Sequence, residues 1–133
     1  MRRLLLTTTF ALFVLIANAQ TDVRQVRPDF SQSPNATYRL FPTSNIWIFL
    51  KLNTADGRLW LVQYSTEVGQ QMEVPLSKTE RANDKKNGRF TLYSTQNIYN
   101  FILLDQIDGR VWQVQWSTDG KNNLVIPINQ DKK

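Results

Sequence analysis

The feature that most constrains the fold is that the chain repeats itself. Sliding the sequence along itself by 52 residues lays 38–76 on 90–128 without a gap and with 15 identities in 39 positions. The identities include Asn45/Asn97, Phe49/Phe101, Asp56-Gly57-Arg58/Asp108-Gly109-Arg110, Trp60/Trp112, Val62-Gln63/Val114-Gln115 and Pro75/Pro127. Many mismatches keep the chemical kind, as in Tyr38/Phe90, Phe41/Tyr93, Trp47/Tyr99, Tyr64/Trp116 and Val74/Ile126. An internal duplication of this kind means two like supersecondary units that bury their apolar surface against each other.

Each copy reads as strands, because short β-branched and aromatic runs alternate with turn residues. Strand A is "TYRLF" or "RFTLY"; B covers 46–53 or 98–105; C is "RLWLVQYS" or "RVWQVQWS"; D is "QMEVPL" or "NLVIPI". Between B and C stand "TADG" and "QIDG", where Asp-Gly is suited to the positive φ values of a tight hairpin. Pro75 and Pro127 cannot donate to a ladder, which places D at a sheet edge. The expected fold is all-β: two tandem four-stranded antiparallel repeats of period 52, packed as a pseudo-twofold sandwich or a flattened barrel. Two such sheets cannot close a propeller ring unless chains associate.

Alternation puts Trp60, Val62 and Tyr64 on one face of strand C, as it puts Trp112, Val114 and Trp116 on one face in the second copy. We expect these aromatic faces to form the core. The other face carries Leu59, Leu61 and Gln63 in the first copy but Val111, Gln113 and Gln115 in the second. On strand B, Ile48 stands where the second copy has Asn100. An apolar outer face in one copy only points to a contact surface for a partner or a second chain, built from Ile48, Leu59 and Leu61 with Trp47 at its margin.

The start of the chain reads as an export signal. "MRR" is a positive n-region, "LLLTTTFALFVLIA" a short apolar stretch, and Ala17-Asn18-Ala19 an A-x-A cleavage site. The expected organisation is a signal peptide 1–19, an extended N-terminal arm 20–36, and one β domain 37–133 made of the repeat 37–76, the connector 77–89 and the repeat 90–128. The product is expected in the periplasm or outside the cell, with no membrane span once the signal is removed. Without cysteine, such a domain relies on apolar burial and strand pairing. The formal charge of +5 includes Arg2 and Arg3 of the leader, and 77–89 carries five basic against two acidic residues. The positive charge is thus concentrated in one connector, whereas a nucleic-acid binder needs a broad basic face.

The stretch "FILLDQIDGRVWQVQWST" resembles a segment that recurs in small exported proteins of Gram-negative bacteria. The shorter pattern D-x-x-[DT]-G-R-x-W, here Asp105 to Trp112, resembles a hairpin of other small envelope proteins. The first resemblance spans most of the chain after the leader, the second about eight residues. Together they imply a compartment and a β fold. They carry no assigned activity and transfer no functional residue.

The chain has no His and no Cys, which removes the commonest general base, thiol nucleophiles and the usual zinc ligands. No glycine-rich phosphate loop is present. Asp56 and Asp108, with Asp105, are candidates for a glycosidase acid/base pair, and Asp105-x-x-Asp108 for a calcium site. Asp before Gly is also what a turn requires, and Asn53 replaces Asp105 in the first copy, so a structural role is favoured for both. The repeated Arg58 and Arg110 suit a carboxylate pair or the face of an aromatic ring. The sequon Asn35-Ala36-Thr37 matters only in a eukaryotic secretory pathway. The chain therefore reads as an exported noncatalytic binding or interaction module, an inhibitor, immunity or envelope-associated factor. It needs no cofactor or metal, its partner is a protein or a glycan, and a homodimer is compatible with it. The alternative is a small carboxylate-dependent hydrolase.

Overall fold

The structure is a computed structural model that describes residues 33–129; the expected leader and most of the arm 20–36 lie outside the described residues. Among the described residues eight strands follow one another and no helix interrupts them. The first copy gives β1 (Tyr38–Pro42), β2 (Ile48–Asn53), β3 (Leu59–Gln63) and β4 (Met72–Ser77). The second gives β5 (Phe90–Ser94), β6 (Asn100–Asp105), β7 (Val111–Gln115) and β8 (Leu124–Pro127). They form two four-stranded sheets, β1-β2-β3-β4 and β5-β6-β7-β8, with every neighbouring pair antiparallel. The sheets pack together without closing into a barrel, and Pro75 and Pro127 sit on the edge strands β4 and β8.

Side-chain hydrogen bonds to the backbone explain several of the repeated identities. In the turn after β1, the Thr43 hydroxyl donates to the Ile48 carbonyl at 2.8 Å and the Asn45 side chain accepts the Trp47 N–H at 2.9 Å. Thr95 and Asn97 do the same for Asn100 and Tyr99, at 2.9 and 3.1 Å. In the next turn, Gly57 and Gly109 have φ of 81° and 73°, and no described non-glycine residue has a positive φ. The glycine alone therefore takes the left-handed conformation expected of Asp-Gly, because it has no Cβ to clash. The side chain that shapes this turn is Asn53 or Asp105, accepting the N–H of Ala55 at 2.9 Å or Ile107 at 3.0 Å.

Register assigns two faces to each sheet. On the first, which we term the front, the first copy carries Tyr38, Leu40, Phe49, Lys51, Trp60 and Val62. Its equivalents in the second copy are Phe90, Leu92, Phe101, Leu103, Trp112 and Val114. The back holds Phe41, Ile48, Leu50, Leu52, Leu59 and Leu61 in the first copy, against Tyr93, Asn100, Ile102, Leu104, Val111 and Gln113 in the second. The core joins unlike faces. Ile48, Leu50, Leu52, Leu59 and Leu61 from the back of the first sheet are buried against Phe90, Leu92, Phe101, Leu103, Trp112, Val114 and Trp116 from the front of the second. Across this joint β2 meets β5 and β4 meets β8.

The two-sheet architecture is as expected; the pairing of its faces is not. A twofold axis would bury equivalent positions of both copies, whereas the copies here stack front to back. The aromatic face of strand C is inward in the second copy only, and Trp60, Val62 and Tyr64 of the first copy point outward. Polarity decides this. Lys51 lies opposite Trp60 on the front of the first sheet and pairs with Glu73, so burying that face would strip water from two charges. In the second sheet, Leu103 and Val125 stand at those positions, and the polar side chains Asn100, Gln113 and Gln115 lie on the back. The first sheet thus keeps the Lys51–Glu73 pair, and the second the amides of Asn100, Gln113 and Gln115, on the outward side.

Candidate interaction surface

The outward front of the first sheet gathers most of this copy's aromatic side chains. Tyr38 is 51% exposed, Leu40 42%, Tyr64 46% and Trp47 40%, and Phe49, Trp60 and Val62 between them are half-buried. The rings touch in two groups: Tyr38 meets Trp60 edge-on at 6.1 Å, and Tyr64 lies 5.1 Å from Trp47 and 6.2 Å from Phe49. Such pairs hold one another in place, so the surface is set before anything meets it.

Cations fix its centre. Lys51 Nζ lies 4.7 Å from the Trp60 ring and 5.5 Å from the Tyr38 ring, and its ammonium is paired with Glu73. The Arg58 guanidinium covers the other part of Trp60 at 5.6 Å. Asp56 anchors Arg58, accepting from Nε at 3.0 Å, and this hydrogen bond raises the arginine above its usual value. An apolar ring surface crossed by an ion pair suits association with another surface.

The residues expected to form a partner surface divide. Trp47 is exterior and packs on Tyr64. Ile48, Leu59 and Leu61 are 1%, 0% and 1% exposed and lie in the core, so they are not available to a partner of the folded chain. Trp60, Val62 and Tyr64, expected in the core, lie on the outward front instead. The signal that identifies this face in the sequence is Lys51, which a period of two places level with Trp60.

The candidate carboxylates are tied to arginines. Asp105 is fully buried and accepts from Arg89 through both oxygens, at 3.0 and 2.9 Å, and from Arg110 at 2.9 Å. Burial works to raise its pKa, but those hydrogen bonds, with the amides of Ile107 and Asp108, outweigh it and hold the carboxyl well below the usual range. Asp108 receives a second Arg89 contact at 2.7 Å. Arg81 and Arg110 flank the Trp112 ring at 5.6 and 5.3 Å, and Arg110 donates to the Arg81 carbonyl at 2.7 Å. Arg58 and Arg110 thus take both roles expected of them, pairing with a carboxylate and covering a ring. A groove of about 520 Å³ runs where β1 approaches β5, past Phe41, Thr43, Tyr93 and Ile98, and no carboxylate lines it. Among the described residues no helix is long and apolar enough to cross a membrane.

Comparison with family models, with curated proteins and with solved structures finds no match to any of them.

Proposed function

We infer that the chain is an exported, noncatalytic interaction module whose working surface is the front of the first sheet. The observation that carries this reading is that Tyr38, Trp47, Phe49, Trp60 and Tyr64 lie outward and partly exposed on one sheet face, the rings in two contacting groups. Large aromatic side chains presented together are the usual anchors of an association surface. The positive leader and the A-x-A site support export, and the pairing of Asp56, Asp105 and Asp108 with arginines supports a structural use of the carboxylates.

The test uses protein expressed with its leader and recovered as processed from the periplasmic or secreted fraction. Immobilised wild type, Tyr64→Glu and a control, Asp119→Ala on the turn after β7, are presented with cell-wall glycans, envelope extract and labelled chain. Tyr64→Glu should lose at least tenfold of the capture shown by wild type, and Asp119→Ala should keep it. Equal capture by Tyr64→Glu would place the working surface elsewhere.

A further inference from the structure

Among the described residues, front-to-back stacking leaves two faces turned outward, and they form the same pair that meets inside the chain. The exposed front of the first copy is equivalent, residue by residue, to the buried front of the second: Trp60 to Trp112, Val62 to Val114, Tyr64 to Trp116. The outward back of the second copy is equivalent to the buried back of the first: Ile102 to Leu50, Leu104 to Leu52, Val111 to Leu59. A joint between unlike faces is heterologous, and such a joint can recur from chain to chain.

We propose that the chains associate by repeating their internal joint, the back of the second sheet of one chain docking on the front of the first sheet of the next, until the ring closes. The proposal rests on the front face being an interaction surface, and it names the partner as a second copy of this chain. Four-stranded meanders stacked face to face about an axis make a β-propeller, and the usual range of about four to eight such blades corresponds to about two to four chains.

Three observations support it. First, the free back is largely apolar: Tyr93 and Ile126 are exposed, and Ile102, Leu104 and Val111 are half-buried. Second, the turn between β2 and β3 is covered at the internal joint, where the Phe90 ring packs on Gly57 and the Phe90 N–H reaches the Thr54 carbonyl at 2.8 Å. The equivalent turn between β6 and β7 is open, with Ile107 54% exposed and, among the described residues, nothing over Gly109. The repeat places Tyr38 of the next chain, the equivalent of Phe90, over that glycine. Third, both free faces carry a polar pair where the internal joint is aliphatic. These are Lys51–Glu73 at the positions of Leu103 and Val125, and Asn100–Gln113, bonded at 2.9 Å, at those of Ile48 and Leu61. Interfaces that form between separately stable partners are more polar than a core.

The test is native mass spectrometry with analytical ultracentrifugation on the processed protein and two variants, Val62→Glu on the free front and Ile102→Glu on the free back. Wild type should form a closed species of one fixed size, about two to four chains. Each variant alone should be a single chain. An equimolar mixture of the two should give a dimer and nothing larger, because each retains the face that the other has lost. Near-ultraviolet circular dichroism checks folding, and a variant that fails to fold is replaced by Tyr64→Glu or Ile126→Glu, whose parent side chains are exposed. An oligomer that survives Ile102→Glu would mean front-to-front pairing and overturn the proposal, as would a ladder of sizes without a ceiling. Wild type that stays a single chain at every soluble concentration would also overturn it. If wild type is a single chain and Tyr64→Glu still loses capture of a glycan or envelope component, the interaction surface stands and self-association alone is excluded.

Discussion

Asp105 shows how one substitution between the copies recruits further chemistry. Asn53 and Asp105 shape the same turn, but only the carboxylate draws in Arg89, and the first copy has Thr37 at the position equivalent to Arg89. Asp105→Asn keeps the turn and removes the charge, leaving the guanidinium without its main partner. We expect a loss of about 2 kcal/mol in urea unfolding. Adding Arg89→Thr, which restores the pair found in the first copy, should recover most of it. The sign with pH follows from the depressed pKa of Asp105. Its contribution is present in full above the unfolded carboxyl value of about 3.9 and is lost as pH falls below that toward the folded value. Wild type should therefore lose stability more steeply than the double variant below about pH 4. Parallel acid profiles of the two proteins would show that the ion pair does not contribute.

At the level of elements, equivalent turns should differ in their tolerance to the same change. Alanine at Gly57 or Gly109 meets a left-handed conformation that costs about 1 to 2 kcal/mol. At Gly57 the added Cβ would also lie 3.2 Å from Arg81 and from the Phe90 ring, whereas at Gly109 it meets nothing among the described residues. Gly57→Ala should be the more damaging by about 1 kcal/mol or more in thermal or urea unfolding; equal losses would mean that the covered turn can yield. The strands, their order of appearance and the edge position of β4 and β8 were legible in the sequence, because alternation, Asp-Gly and Pro are local signals. Which face turns inward was not legible on strand C alone, since Leu59 and Leu61 alternate with Trp60 and Val62 and both sets are apolar. The decision lies on the neighbouring strands, in Lys51 and Glu73 of one sheet and Asn100 of the other. Burying the larger rings is here a poorer guide than keeping the Lys51–Glu73 pair in water. For the same reason Ile48, Leu59 and Leu61, expected on an outer face, lie in the core, and of that set Trp47 alone is exterior.

Taken as a whole, the molecule is two like sheets stacked in the same sense, so that one front and one back stay open. Equivalent positions on the two backs therefore have opposite surroundings: Leu61 lies in the core, and Gln113 lies on the open back, bonded to Asn100. Exchanging the two residue types one at a time, with urea unfolding as the measurement, tests this most directly. Leu61→Gln, which buries an amide without a partner and removes core packing, should lose about 2 to 4 kcal/mol. Gln113→Leu should leave stability within about 1 kcal/mol of wild type or raise it. Similar losses in both variants, or a larger loss for Gln113→Leu, would contradict front-to-back stacking.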